Sequence, residues 1–141
     1  MKDIGSAARA LILSNAEIAE LVGPRVYSDQ MPQGGTVPAI VYEVSSEQAN
    51  DVLAGPLGME EATITVDAYG ATRTDANKLN HLIKKHLAGF RGTVSGVTIR
   101  VVYQDSGLYY GTDLPPGGSD AHRYITSQDF GFVYGSLEAS C

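Results

Sequence analysis

The side chains able to do chemistry are few, and their spacing keeps them apart. His81 and His86 fall five residues apart. On a helix that spacing turns them about 140° from each other. Two ligands that clamp one ion from a helix sit three or four apart, as in the HExxH pattern. His86 falls on an apolar helical face and is expected to be a half-buried, hydrogen-bonded side chain, while His122 lies beside the start of a strand. The single cysteine, Cys141, is the last of 141 residues. It allows neither a disulfide within the chain nor a thiolate zinc site, and a position in a frayed tail gives no seat to a nucleophilic dyad. No GxSxG turn presents a serine. Glu60 and Glu61 are adjacent, so on a strand they point to opposite faces and do not pair. Gly34-Gly35 and Gly117-Gly118 lack the lysine and the strand–loop–helix setting of a phosphate loop and read as turn residues. The sequence asks for no catalytic residue, no metal and no cofactor.

What remains is contact chemistry. Eight tyrosines and no tryptophan are present. Tyr42, Tyr69, Tyr124 and Tyr134 fall in strands and suit sheet-face packing. Tyr103, Tyr109 and Tyr110 flank a long connection. Tyrosine offers a large contact area at low entropic cost, so Tyr109 and Tyr110, with Leu108 and Leu114, are the candidate interface anchors. Lys and Arg total 10 against 16 Asp and Glu, a net charge of -6. Free nucleic-acid binding needs clustered cations to neutralise phosphates, and anionic membranes need the same, so the chain is a poor candidate for both. An acidic wall would instead repel DNA. Asp51, Asp105 and Asp113, in or beside long connections, are the candidates for such a wall.

These residues must be positioned by one domain. Hydrophobic residues make up 43% and charged residues 18%, a globular balance, and the length suits a single folded unit over residues 1–135. Residues 136–141 read as a flexible tail. No stretch approaches the ~20 apolar residues of a membrane span, and the first residues lack a cleavable leader, so a soluble intracellular product is expected.

Asp3 caps a helix whose stripe is Ile4, Ala7, Ala8, Leu11 and Ile12. Ser14 to Glu17 restarts it as a capping box, and the second helix runs from Ala16 to Val22 before Gly23-Pro24 ends it. Arg25 to Ser28 is a short strand. A strand opening at Pro38 carries Ile40, Tyr42 and Val44 on one side. After the long connection Asn50 to Gly58, Ala62, Ile64, Val66 and Ala68 alternate with Glu61, Thr63, Thr65 and Asp67. That gives one buried and one wet face. Thr72 with Asp75 caps a helix bearing Ala76, Leu79, Leu82, Ile83, His86 and Leu87, closed at Gly89. Val94 to Tyr103 is a strand, Gln104 to Ala121 a glycine-rich connection, and His122 to Tyr134 the last strand. The predicted fold is α+β: a two-layer arrangement with a mainly antiparallel sheet of about five strands and two to three helices on one face. Gln104 to Ala121 exceeds the about 12–15 residues beyond which connections usually carry function, and Asn50 to Gly58 is longer and richer in glycine than a minimal connection, so both are expected to be mobile in isolation and to hold the assembly contacts.

Read in order, Glu20-Leu21-Val22-Gly23-Pro24-Arg25-Val26-Tyr27, then Val37-Pro38-Ala39-Ile40-Val41-Tyr42, then Ala62 to Tyr69, Thr74-Asp75-Ala76, Arg123-Tyr124-Ile125-Thr126 and Asp129-Phe130 resemble one family. It is the tail completion, or tail terminator, family of long-tailed bacteriophages, and the likeness runs from Ile4 to Tyr134. The resemblance implies a structural virion protein assembled in the host bacterial cytoplasm. It would form a ring, usually hexameric, at the head-proximal end of the tail. The ring stops polymerisation of the tail tube protein and docks on the head–neck connector, and DNA passes through its lumen without specific binding. The rivals are another neck or head-completion protein and a small-molecule-binding α+β enzyme subunit. Strongly perturbed titratable groups in a pocket would favour the enzyme; a flat edge strand would favour the ring.

Overall fold

The computed structural model describes residues 3–32, 36–49, 59–105, 108–113 and 123–135. Helix α1 (Ile4–Leu13) starts where Asp3 accepts the Ser6 amide at 2.9 Å. Ser14 closes it, donating through Oγ to the Leu11 carbonyl at 2.6 Å. The cap of α2 (Ala16–Val22) is therefore Asn15 and not Ser14: its Oδ1 accepts the Ile18 amide at 3.0 Å. Gly23, at φ 56°, ends α2. Helix α3 (Arg73–Leu87) begins at Thr72, whose Oγ1 accepts the Asp75 amide at 3.1 Å. It ends with Lys84, Lys85 and His86 in its last turn, where cations suit the helix dipole.

The strands are β1 (Val26–Ser28), β2 (Ala39–Ala49), β3 (Met59–Gly70), β4 (Gly92–Val94), β5 (Val97–Gln104), β6 (Tyr109–Asp113) and β7 (Arg123–Gly135). They form one sheet in the order β1-β2-β3-β7-β5-β4, with β6 also on β7. β1 runs parallel to β2 and the other pairs are antiparallel. Among the described residues the fold class is α+β with three helices, as expected, but the sheet has seven strands, not about five. One additional strand is β4, which shares only Val94 with the predicted strand Val94 to Tyr103. Ser95 and Gly96 take φ of 51° and 79°, a two-residue turn that folds β4 back on β5. The other is β6, inside the stretch read as a connection.

Strand β7 is the axis. One of its edges pairs with β3 along its length, and the other is shared by β5 near Phe130 to Gly135 and β6 near Arg123 to Ser127. The helices cover one sheet face. Ala62, Ile64, Val66 and Ala68 of β3, with Phe130 and Phe132 of β7, are fully buried there against Leu11, Ile12, Ile18, Leu79 and Ile83. Each such large side chain contributes roughly 1.5–3 kcal/mol relative to exposure. His86 sits at the helix–helix seam, its Nε2 2.8 Å from the Leu11 carbonyl and 3.0 Å from Ser14 Oγ. That is the half-buried, bonded role expected of it.

Candidate functional site

The face of the sheet away from the helices is built by register. Glu43 lies opposite Thr65, and Thr65 opposite Asp129; Val41 lies opposite Asp67, and Asp67 opposite Ser127. Side chains directly opposite share a face, so Glu43, Glu61, Asp67 and Asp129 all stand on the open side. Across β2, β3 and β7 the register gives that face one cation, Arg123, held 5.9 Å from the Tyr69 ring centroid. Thr65 Oγ1 donates to Asp129 Oδ1 at 2.7 Å and lies 2.8 Å from Ser45 Oγ, a polar line crossing three strands. Burial raises the Asp67 carboxyl above its ordinary value; the Ser127 hydroxyl holds it partly down, while Glu43 and Asp129 push it further up. Exposed Asp105 adjoins this group, its amide donating to the Asp129 carbonyl at 2.8 Å.

Aromatic rings frame the open face. Tyr103 lies across Gly131, where its ring fills the space an added Cβ would take. Its hydroxyl donates to Glu61, and this bond to a carboxylate pushes the phenol up to about 12. At the other end Ala39, Val41 and Tyr69 make a small apolar cluster with Tyr27, Met31, Val37 and Ile125. Beside it an open groove of about 560 Å³ is lined by Asp29, Met31, Asp67, Tyr69, Arg123 and other residues. It holds a perturbed carboxyl but no histidine or nucleophilic thiol among those linings. Among the described residues no three His, Cys, Asp or Glu side chains are grouped to hold a metal ion.

A second concavity, of about 280 Å³, lies on the helix side between α3 and β6. Its walls are Leu108 and Tyr110 on one hand and Asn77, Asn80, His81 and Lys84 on the other. Arg73 holds this region together. Its guanidinium sits between the rings of Tyr110 and Tyr124, 5.0 and 5.3 Å from their centroids. It donates to the Ile125 carbonyl at 2.7 Å and the Gly111 carbonyl at 2.8 Å, so one side chain ties β6 to β7. Below it Thr126 donates to Asn77, and Asn80 both donates to the Thr126 carbonyl and accepts from Gln128.

The candidate residues fall in three groups. Leu108 and Tyr110 are exposed and adjacent to the second concavity; Tyr109 lies between them in β6. Asp105 borders the acidic face, and Asp113 is the last residue of β6, opposite Arg123. Asp51, Leu114, the Asn50 to Gly58 connection and the tail lie outside the described residues. Sequence reasoning missed Glu43 and Asp129 as partners of Asp67, and Arg73 as the clamp. The wet alternation of β3 was visible in the sequence, but not which strands would flank it.

The model of the family described as "Tail completion protein gp17" matches residues 6–108. The chain belongs to that family and is a structural protein of the phage tail or neck, a component of a phage-like virion. A solved chain from the virion of a native gene transfer agent particle has a similar fold, with a TM-score of 0.63 and 15% identity. The superposition covers 94% of this chain and 95% of that one. No curated protein sequence matches. Among the described residues no helix is long and apolar enough to cross a membrane.

Proposed function

We propose that the protein is the tail terminator subunit: it forms a ring on the head-proximal end of the tail tube, stops tube polymerisation and joins the tail to the head–neck connector. Family membership supports a tail or neck role. The observation that carries the finer reading is the acidic, helix-free sheet face bearing Glu43, Glu61, Asp67 and Asp129, with Asp105 at its border. A ring that conducts DNA needs a wall to which phosphates do not adhere. Across β2, β3 and β7 that face carries four carboxylates against one arginine, Arg123, and so meets that need. In this reading the wall is the sheet itself, bordered by Asp105, and Asp113 and Asp51 are proposed for the same lining. Leu108 and Tyr110 contact protein neighbours, which are other copies, the tube protein or the connector, and Tyr109 and Leu114 are proposed as further anchors. A hexamer is the expected closure, and assembly takes place in the host bacterial cytoplasm.

Removing the gene tests this. The expected particles are filled heads separate from tails, with tubes of uncontrolled length, and complementation in trans restores joined particles of uniform tail length. Joined particles with normal tails in the deletion would refute the role. Filled heads that leak DNA beside tails of normal length would point instead to a head-completion protein.

A further inference from the structure

Three large apolar side chains stand exposed among the described residues: Leu21, Leu108 and Tyr110, at 37%, 43% and 55%. They form two patches, one on each flank of α3. Leu21 of α2 lines an apolar pocket of about 240 Å³ with Pro38, Ala71 and Leu79, on the flank marked by Asp75 and Lys78. Leu108 and Tyr110 wall the groove on the flank marked by Asn77, His81 and Lys84. Those three helix positions follow i, i+4, i+7 spacing and form one stripe, distinct from that of Asp75 and Lys78. Neither patch can meet a copy of itself and cover the other.

The charges differ in sign. Glu17 and Glu20 are exposed on α2, and Glu17 shares the helical face of Leu21 by i, i+4 spacing. Arg25, which follows α2 in the chain, is turned onto the Leu21 and Pro38 carbonyls, and Asp75 and Lys78 offset each other. The groove has exposed His81 and Lys84 on its rim. Its tyrosine wall is pre-set, because Arg73 fixes the Tyr110 ring from behind. Little side-chain freedom remains to be lost on docking.

We infer that successive copies of the chain join by seating Leu21 of one copy in the Leu108–Tyr110 groove of the next, with Glu17 and Glu20 against Lys84 and His81. The occupant is a second copy because both halves, apolar and charged, are carried by one chain on different flanks. Such a head-to-tail contact is heterologous, and it closes into a ring when the rotation between copies permits. The inference rests on the ring reading and names the surfaces that would build it.

The test uses the full chain with Cys141→Ser and the pair Leu21→Cys and Leu108→Cys. Mild oxidation should give a ladder of covalent multimers ending in a closed ring, since each copy carries both halves of the contact. Each single-cysteine variant should stay uncross-linked, since its thiol meets no thiol across a heterologous contact, and the control pair Lys85→Cys with Leu108→Cys should form no ladder. Independently, Glu20→Lys should weaken association by about tenfold, and adding Lys84→Glu should recover it. These surface reversals leave the core untouched, so they decide the matter even if a cysteine variant misfolds. Suppose light scattering finds ring-sized assemblies of the parent chain, yet the cysteine pair cross-links no better than its control and the reversals change nothing. The contact is then wrong and the ring stands. If the parent chain forms no oligomer, either alone or on isolated tube ends, the ring reading fails and takes the contact with it.

Discussion

Single side chains on the open face are constrained in two different ways. Gly131 is required by close approach: the Tyr103 ring occupies the space of any Cβ. Gly131→Ala should lower stability by about 1–3 kcal/mol, as overpacking does. Combining it with Tyr103→Ser should restore part of the loss. Thermal midpoints of the three variants check this, and an unchanged midpoint for Gly131→Ala alone would contradict the packing. Asp67 is constrained by charge. Burial raises its carboxyl above the ordinary 3.8, so the folded chain keeps a proton over a pH range in which the unfolded chain has released it. Stability then falls as pH rises through that range. Asp67→Asn should flatten this slope and raise the midpoint more at neutral pH than at acid pH. An equal shift at both would assign the effect to something other than titration.

At the scale of elements, Arg73 decides whether β6 belongs to the sheet. Its planar guanidinium stacks between two rings and bonds carbonyls on two strands, which an ammonium cannot reproduce. Arg73→Lys should speed hydrogen exchange of the β6 amides by about tenfold, equivalent to about 1.4 kcal/mol of local stability. Exchange in β3 should stay unchanged; equal loosening of both strands would mean that Arg73 stabilises the domain at large. This clamp also explains what the sequence concealed. The helices and the long strands were legible because caps at Asp3 and Thr72, and the alternation from Ala62 to Ala68, are local signals. β6 has the composition Tyr-Tyr-Gly-Thr-Asp, with no apolar alternation, and becomes a strand through β7 and a side chain distant in sequence. Likewise Asp67 was visible as wet, but its company with Glu43 and Asp129 depends on strand order, which periodicity does not encode. Leu108 and Tyr110, candidates by type and setting, stand exposed on the groove beside α3, whereas Leu21 was not among the candidates.

For the whole molecule, the distribution of charge matters more than the net value of -6. Lysines cluster on the exposed side of α3, while carboxylates hold the opposite face of the sheet. The isolated protein should therefore show no submicromolar affinity for duplex DNA at physiological salt, checked by gel shift. The double reversal Glu43→Lys with Asp105→Lys, at two exposed positions, should bring binding into range. In a phage carrying it, DNA delivery should slow although particles still assemble. Tight DNA binding by the parent protein would remove the case for an acidic wall.

The central position of β7 bears on how the protein comes into being at the ribosome. Met59 of β3 pairs with Gly135, and Gly70 with Tyr124, so the inner strand of the sheet is the last of the seven to be synthesised. Until it emerges, β3 and β5 have no partner between them, and the apolar side of β3 lacks its cover of Phe130 and Phe132. Pairings of such long sequence separation form slowly, and unpaired edges invite association with other nascent chains. Final folding is thus deferred until β7 has left the exit tunnel, and a chain truncated before Arg123 would be released with a split sheet, as a substrate for chaperones and proteases.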